Sequence, residues 1–254
     1  MNKWPNDLSL DAFKETWSLE GPDFWLSVFE AHKEQMQVKN PAVATGNIEK
    51  ILNATFKLTY EKGFQGMSLR DLSQETGVSM GGLYAYIGSK SDLASVIEGV
   101  LRTTIEQVLG SLSSQQLEPL ARLKAIIYGE LYMMEQLKPW YYFCFMELKG
   151  LTREQQQQTL DVELRFESFL LDAIQQGCDQ GIFNCEQKEL LAAQVTAQLQ
   201  QWHLKQWKFK VRRVSLDEYA RYVFNSLVTC LHYDRGGLEA VEISAGKSPD
   251  SAAV

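Results

Sequence analysis

The side chains best placed to do chemistry in this sequence lie between positions 68 and 90. They are Ser68, Arg70, Ser79, Met80, Gly81, Gly82, Tyr84, Tyr86 and Lys90. Their chemistry is hydrogen bonding and charge, not bond making. Ser and Tyr hydroxyls, Arg and Lys cations and helix N-terminal amides are the groups that contact DNA phosphates and set register without reading sequence. The chemistry of an enzyme is not legible. There is no GxSxG, no HExxH and no GxxxxGK[ST]. The pair Gly81-Gly82 is not a phosphate loop, because no strand pattern precedes it. Cys144, Cys178, Cys185 and Cys230 contain no pair at metal-ligand spacing, and His32, His203 and His232 are scattered. The sequence therefore predicts no catalytic residue, no metal and no cofactor.

The elements that must position these groups are short. Ser68 is a natural N-cap for a helix with Leu69 and Leu72 on its apolar side, and Gly77 can stop it in a left-handed conformation. Ser79 can cap a second helix over 80–87. Ser89 can cap a third, with Asp92 where a carboxylate suits the positive end of the helix dipole. Two short helices joined by a tight glycine turn form a helix-turn-helix, whose second helix lies in the major groove. Upstream, Ile48, Ile51, Leu52, Thr55, Phe56 and Thr59 repeat at i, i+3, i+4 spacing. Together with Leu69, Leu72, Val78 and Leu83 they would close a three-helix core.

Over residues 48–109 the chain resembles the DNA-binding domain of tetracycline-repressor-like (TetR) transcription regulators. The positions that carry the resemblance are Gly63-Phe64, Ser68, Gly77-Val78-Ser79, Gly81, Leu83-Tyr84, Tyr86, and Lys90 before Asp92-Leu93. Met80 stands where many relatives have Lys, Ile87 replaces Phe, and Gly82 is small where a base-contacting side chain is common. The resemblance implies a ligand-responsive transcription regulator, a repressor that binds a palindromic site on double-stranded DNA as a homodimer; the sparse, irregular cysteines point separately to a reducing cytoplasm. It also implies a larger helical domain that binds a small apolar or acyl-type effector.

The remainder reads as all-α: an N-terminal helix-turn-helix domain plus a larger helical-bundle domain. The expected divisions are an aromatic-rich extension (1–45), the DNA-binding domain (46–92), a regulatory and dimerisation domain (93–234) and a small polar tail (235–254). A helix from Lys90 carries continuous apolar spacing to Leu109 and would join the two domains. Further helices are expected over 117–137, from Pro139, from Thr152 to Gly177 or Gly181, over 186–210 and over 215–233. Bundle pockets are mostly apolar, which nominates Met133, Trp140, Phe143, Phe166, Trp202 and Trp207 as lining residues. Residues Leu191, Val195, Leu199, Trp202, Tyr219, Tyr222, Val223, Leu227 and Leu231 are the dimer-interface candidates.

The basic run Lys205, Lys208, Lys210, Arg212, Arg213 reads as a solvated loop, or as a cradle for an anionic ligand. In the extension, Trp4, Phe13, Trp17, Phe24, Trp25, Val28 and Phe29 expose too much apolar surface to stay undocked. Asp23 could cap a helix over 24–36, and Pro41 and Gly46 mark a boundary after it. No apolar run is long enough to span a membrane. Net charge is −7, and residues 46–103 hold six Lys or Arg against six Asp or Glu. DNA binding then needs a local basic surface. The acidic balance and aromatic extension keep a second class in play, a helical protein-binding adaptor.

Overall fold

The computed structural model describes residues 3–231, and every regular element among them is helical. The α-helices are α1 (Leu10–Thr16), α2 (Gly21–His32), α3 (Pro41–Gly66), α4 (Leu69–Thr76), α5 (Met80–Tyr84) and α6 (Lys90–Ser113). They continue as α7 (Pro119–Gln136), α8 (Lys138–Met146), α9 (Arg153–Asp179), α10 (Lys188–Leu204), α11 (Gln206–Arg212) and α12 (Leu216–Cys230). The expected polar tail over 235–254 and His232 lie outside the described residues.

Capping chemistry sets the boundaries. Ser68, Ser89, Thr152 and Ser215 each accept a backbone N–H at the third helical position. Asp71, Asp92, Gln155 and Glu218 at those positions accept from the cap's own N–H in return. Each pair satisfies two donors that a helix start leaves unpaired. Gly77 closes α4 at φ +70°, a left-handed turn that favours glycine. Helices α3, α4 and α5 form the small head, with Ile48, Ile51, Leu52, Leu72, Leu83 and Ile87 buried between them. Helix α6 runs from this head into the body, where α7, α8 and α9 pack on it and α10 and α12 pack on α7 and on each other.

Some boundaries differ from the sequence reading. Helix α3 begins at Pro41, because Asn40 accepts the Ala42 N–H and proline is preorganised for a first turn. Pro41 and Gly46 therefore open the first helix and do not separate it from the extension. Helix α5 ends at Tyr84, and the next turn drives Tyr86 and Ile87 into the head core. The long helix expected over 186–210 breaks at Lys205 into α10 and α11. A helix absent from the reading, α1, is capped by the Ser9 hydroxyl on the Ala12 N–H.

The extension docks on its own chain. Phe13 is fully buried, edge-on to Trp4 at 5.3 Å and tilted against Tyr132 of α7 at 5.5 Å. Trp4 lies on α7 at Gly129, where an added Cβ would sit 3.0 Å from the indole ring. Phe24 and Trp25 of α2 pack on Trp140 of α8, and Phe56 of α3 meets the same indole at 5.0 Å. The Gln37 N–H donates to the Ala85 carbonyl just past α5. One segment thus touches both the head and the body.

The interface candidates need correction. Leu191, Val195, Leu199, Trp202, Tyr219, Val223, Leu227 and Leu231 are all buried within this one chain. Tyr222 alone of that set is exposed, at 68%, and Leu190 joins it at 66%. The spacing identified a buried face correctly, but the face is spent on the bundle's own core.

Candidate nucleic-acid interface and bundle cavity

The second helix of the helix-turn-helix is set by one hydrogen bond. The Ser79 hydroxyl accepts the Gly82 N–H at 3.1 Å and starts α5. Its two glycines differ. A Cβ on Gly82 would sit 2.9 Å from Val78 Cγ1, so packing against the turn requires its small size. A Cβ on Gly81 would meet nothing within 4 Å. Nothing inside the chain requires glycine there, and helix propensity disfavours it by roughly 1 kcal/mol relative to Ala. Gly81 is exposed beside exposed Ser79 and Tyr84, while Met80 and Gly82 are half-buried.

Four expected contact residues are committed within the chain. The Ser68 hydroxyl lies 2.6 Å from Asp71 Oδ2, and Ser68 with Lys62 holds that carboxyl below the usual carboxylate range. Ser79 is the α5 cap just described. Tyr86 is only 5% exposed, and its hydroxyl accepts from Asn47 Nδ2 at 2.8 Å. Lys90 departs most from expectation. Its ammonium lies 2.9, 3.1 and 3.1 Å from the carbonyls of Phe64, Gln65 and Met67, and 4.9 Å from the Phe64 ring centre. Burial lowers its pKa. It clamps the end of α3 and is not a free phosphate contact.

That clamp has a physical cause in Gly63. At φ +75° this residue interrupts α3, which then ends at Gly66, and its last carbonyls are short of donors, with only the Met67 N–H reaching back to Gly63 and Phe64. Lys90 from α6 satisfies three of them. The adjacent Phe64 N–H donates to Glu147 Oε2, at the end of α8, at 2.9 Å. Gln65 Nε2 donates to the Gly150 carbonyl. The Gly63–Gly66 corner of the head is therefore held from α6 and from α8.

Other head cations are also occupied. Lys57 pairs with Glu75 at 2.6 Å and Lys62 with Asp71 at 2.9 Å. Among the described residues, Lys50 and Arg70 have no carboxylate within ion-pair distance, and both are exposed. Exposed Lys39, two residues beyond the Gln37–Ala85 bond, adds a third. It was missed because it lies in the extension, outside the recognised pattern. Its signal was a lone basic residue just before the Asn40-Pro41 helix start.

Of the six nominated pocket residues, only Phe166 lines the cavity inside the bundle. Met133 is solid core. Trp140 is occupied by the extension. Phe143 is edge-on to Phe64 at 4.9 Å and lines an open groove between α3 and α8 with Phe56, Tyr60 and Tyr142. Trp202 donates to Glu135 at 2.9 Å and stacks on Phe209 and Tyr219. Trp207 is 62% exposed. The basic run lies on and around α11, which contributes no residue to the cavity.

The cavity is walled by Leu101 and Ile105 of α6, Glu130 and Met134 of α7, and Tyr141, Cys144 and Phe145 of α8. Thr159, Val162, Glu163 and Phe166 of α9, with Thr196 and Gln200 of α10, complete it. Glu130 is fully enclosed, and burial pushes its carboxyl up to about 8, against a smaller opposing effect of the Tyr141 hydroxyl, which donates to Oε1 at 2.9 Å. Its Oε2 has no partner, nor has Gln200 Nε2. His203, against the Tyr141 and Phe145 rings, is unpartnered at both nitrogens, and burial lowers it to about 4. Burial raises Cys144 to about 12. The sequence signal for Glu130 was a lone carboxylate inside the apolar stretch 125–134.

Among the described residues no group of His, Cys, Asp and Glu is placed to hold a metal, and no helix is long and apolar enough to cross a membrane. Residues 51–97 match the family model described as bacterial regulatory proteins, tetR family. Over 97 residues the chain is 35% identical to the uncharacterized HTH-type transcriptional regulator in the lacX 3′ region of Lactococcus lactis subsp. lactis. That match covers 38% of this chain and about half (49%) of the relative's length. It is 23% identical over 194 residues to the HTH-type transcriptional regulator HbdR of Aromatoleum sp. strain CIB, covering 76% of this chain and 84% of HbdR. Its fold is similar to that of AibR, solved in complex with isovaleryl coenzyme A and operator DNA. The TM-score is 0.61 at 18% identity, over 74% of this chain and all of that one.

Proposed function

For a chain that carries a tetR-family DNA-binding domain on a TetR-type helical fold, we propose a homodimeric transcription repressor that binds a palindromic operator and is released by a small effector. The observation that carries the DNA-binding part is the open surface at Gly81, flanked by Ser79 and Tyr84, on the second helix of the helix-turn-helix. A missing side chain with room for one is what close approach to a DNA backbone would select. Arg70, Lys50 and Lys39 supply the local positive charge that an acidic chain otherwise lacks. A single head contacts few bases. Two heads about 34 Å apart would read successive major grooves. The exposed sides of α10 and α12, with Leu190 and Tyr222, are the surface proposed for pairing.

The effector reading rests on shared parts. Tyr141, Cys144 and Phe145 of α8 wall the cavity, and the same helix leads into Glu147, which holds the Phe64 N–H of the head. Leu101 and Ile105 of α6 wall it too, and α6 begins with the Lys90 clamp. A small, largely apolar or acyl-type molecule that fits only one arrangement of α6 and α8 would reorient the heads and weaken operator binding. The adaptor reading loses part of its support, since Trp4, Phe13, Phe24, Trp25 and Phe29 are buried against this chain. The test is selection of duplex DNA by the full chain, then a salt titration of the selected site beside Tyr84→Ala. A palindromic site bound less tightly by the variant is expected. No enrichment at low salt would reject DNA binding.

A further inference from the structure

The bundle cavity has a charge preference that its apolar walls conceal. Two of its lining side chains are carboxyl groups, Glu130 and Glu163, and no Lys or Arg lines it. Glu130 is 2% exposed, and its Oε2 is unpartnered. Aromatic rings from three residues, Tyr141, Phe145 and Phe166, share the walls. Aromatic faces attract cations through their quadrupole, and a buried carboxylate needs a positive partner. An anionic ligand would meet two carboxyl groups and nothing to balance them. A purely apolar ligand would leave Glu130 Oε2 and Gln200 Nε2 without partners, a costly arrangement in a dry site.

We propose that this cavity binds an organic cation, an amine or quaternary ammonium group on an apolar body, with Glu130 as its counter-ion. This rests on the effector-binding reading above and adds the effector's charge. The cavity holds about 20 Å³, room for little more than one water molecule. A ligand larger than one water therefore enters by displacing side chains, and Met134 is the adaptable one. Burial raises the Glu130 carboxyl to about 8, which favours its protonated form at neutral pH; a cation binds the ionised form, so binding releases a proton. Tyr141 and Cys144 from α8 and Glu163 from α9 line the cavity with Glu130; α6 adds the aliphatic Leu101 and Ile105 and, beyond Cys144, the buried Glu98 with its partner Arg102, while α10 adds the neutral Thr196 and Gln200. His203 of α10 lies behind, on the Tyr141 and Phe145 rings. Tyr141 and Cys144 are raised and His203 lowered, so none of these three titrates between pH 6 and 9.

The test compares phenyltrimethylammonium with its uncharged carbon isostere, tert-butylbenzene, by calorimetry on the full chain and on Glu130→Gln. The variant keeps the side chain's shape and one acceptor for Tyr141. The expected result is at least tenfold preference for the cation at pH 9, a smaller preference at pH 6, and loss of both the preference and its pH dependence in the variant. Equal or tighter binding of tert-butylbenzene would overturn the charge proposal and leave an effector cavity in place. Binding of neither probe would also overturn it. Operator binding of the same samples, measured without probe, tests the regulator reading separately.

Discussion

Lys90 separates two accounts of the head. In the sequence pattern it is a phosphate contact. In the structure it closes the end of α3 on three carbonyls. Lys90→Met removes the ammonium and keeps most of the stem that covers Phe64. Hydrogen bonds to a charged donor are worth about 1.5–3 kcal/mol. The site is half-buried, which discounts that figure, so a loss of about 1–2 kcal/mol is expected. For a chain of this size each kcal/mol moves Tm by about 2–4 °C, giving a drop of about 2–8 °C by calorimetry. The DNA assay then discriminates. A phosphate contact contributes about 0.9 to the slope of log affinity against log salt, so a dimer losing two would lose about 1.8. A clamp contributes nothing to that slope. Lys90→Met should lower Tm and weaken operator binding while its salt slope stays within error of the parent. An unchanged Tm with a slope reduced by nearly 2 would refute the clamp.

Gly81→Ala should raise Tm slightly, because the added methyl meets open space and alanine favours helix. It should weaken operator binding at least tenfold. Gly82→Ala should lower Tm by pressing on Val78. Phe13→Ala removes a fully buried ring between Trp4 and Tyr132, and should cost about 3–5 kcal/mol in denaturant unfolding. Leu190→Glu with Tyr222→Glu alters only exposed positions, and should shift the species seen by ultracentrifugation from dimer to monomer without lowering helicity. Glu130 gives a pH prediction. Burial raises its folded pKa to about 8, above the ordinary 4.5 of a free glutamate, so its contribution is fully present below pH 4.5 and is lost as pH rises through 8. At 1.36 kcal/mol per unit, Glu130→Gln should gain about 5 kcal/mol over the parent across that window. A constant difference between pH 5 and 8 would refute the burial of an unpaired carboxyl.

Local chemistry was legible wherever one residue decides one boundary. Ser68, Gly77, Ser79, Ser89, Thr152 and Ser215 cap or stop helices as their types demand. Periodicity found buried faces but could not say what buries them. Leu199 and Val223 satisfy a dimer-interface pattern and a bundle-core pattern equally, and only the packing of α10 and α12 decides between them. The aromatics illustrate the same limit. Trp140 carries the composition of a pocket residue, yet its partners are Phe24 and Trp25, more than a hundred positions away. Glu130 was passed over because polarity within an apolar helix is visible in sequence, while the absence of a partner is not.

The three departures at Lys90, Glu147 and the extension share one consequence. Each ties the head down at a separate point: Lys90 and Glu147 at the Gly63–Gly66 corner, and Gln37 at the carbonyl of Ala85, which caps the end of α5. A head linked to the body by α6 alone could swivel. Held at both ends of its helix-turn-helix, it moves as one piece with α8 and the extension. Rearrangement of the cavity wall at Tyr141 or Phe145 then cannot be absorbed by a loose linker, because α8 leads within a few residues to the Glu147 bond. This gives the coupling a location that can be cut. Glu147→Gln retains an acceptor for the Phe64 N–H and should preserve release by effector. Glu147→Ala leaves that N–H without its partner and should retain operator binding while losing much of the response. If the alanine variant responds like the parent, the route runs through α6 and Lys90 instead.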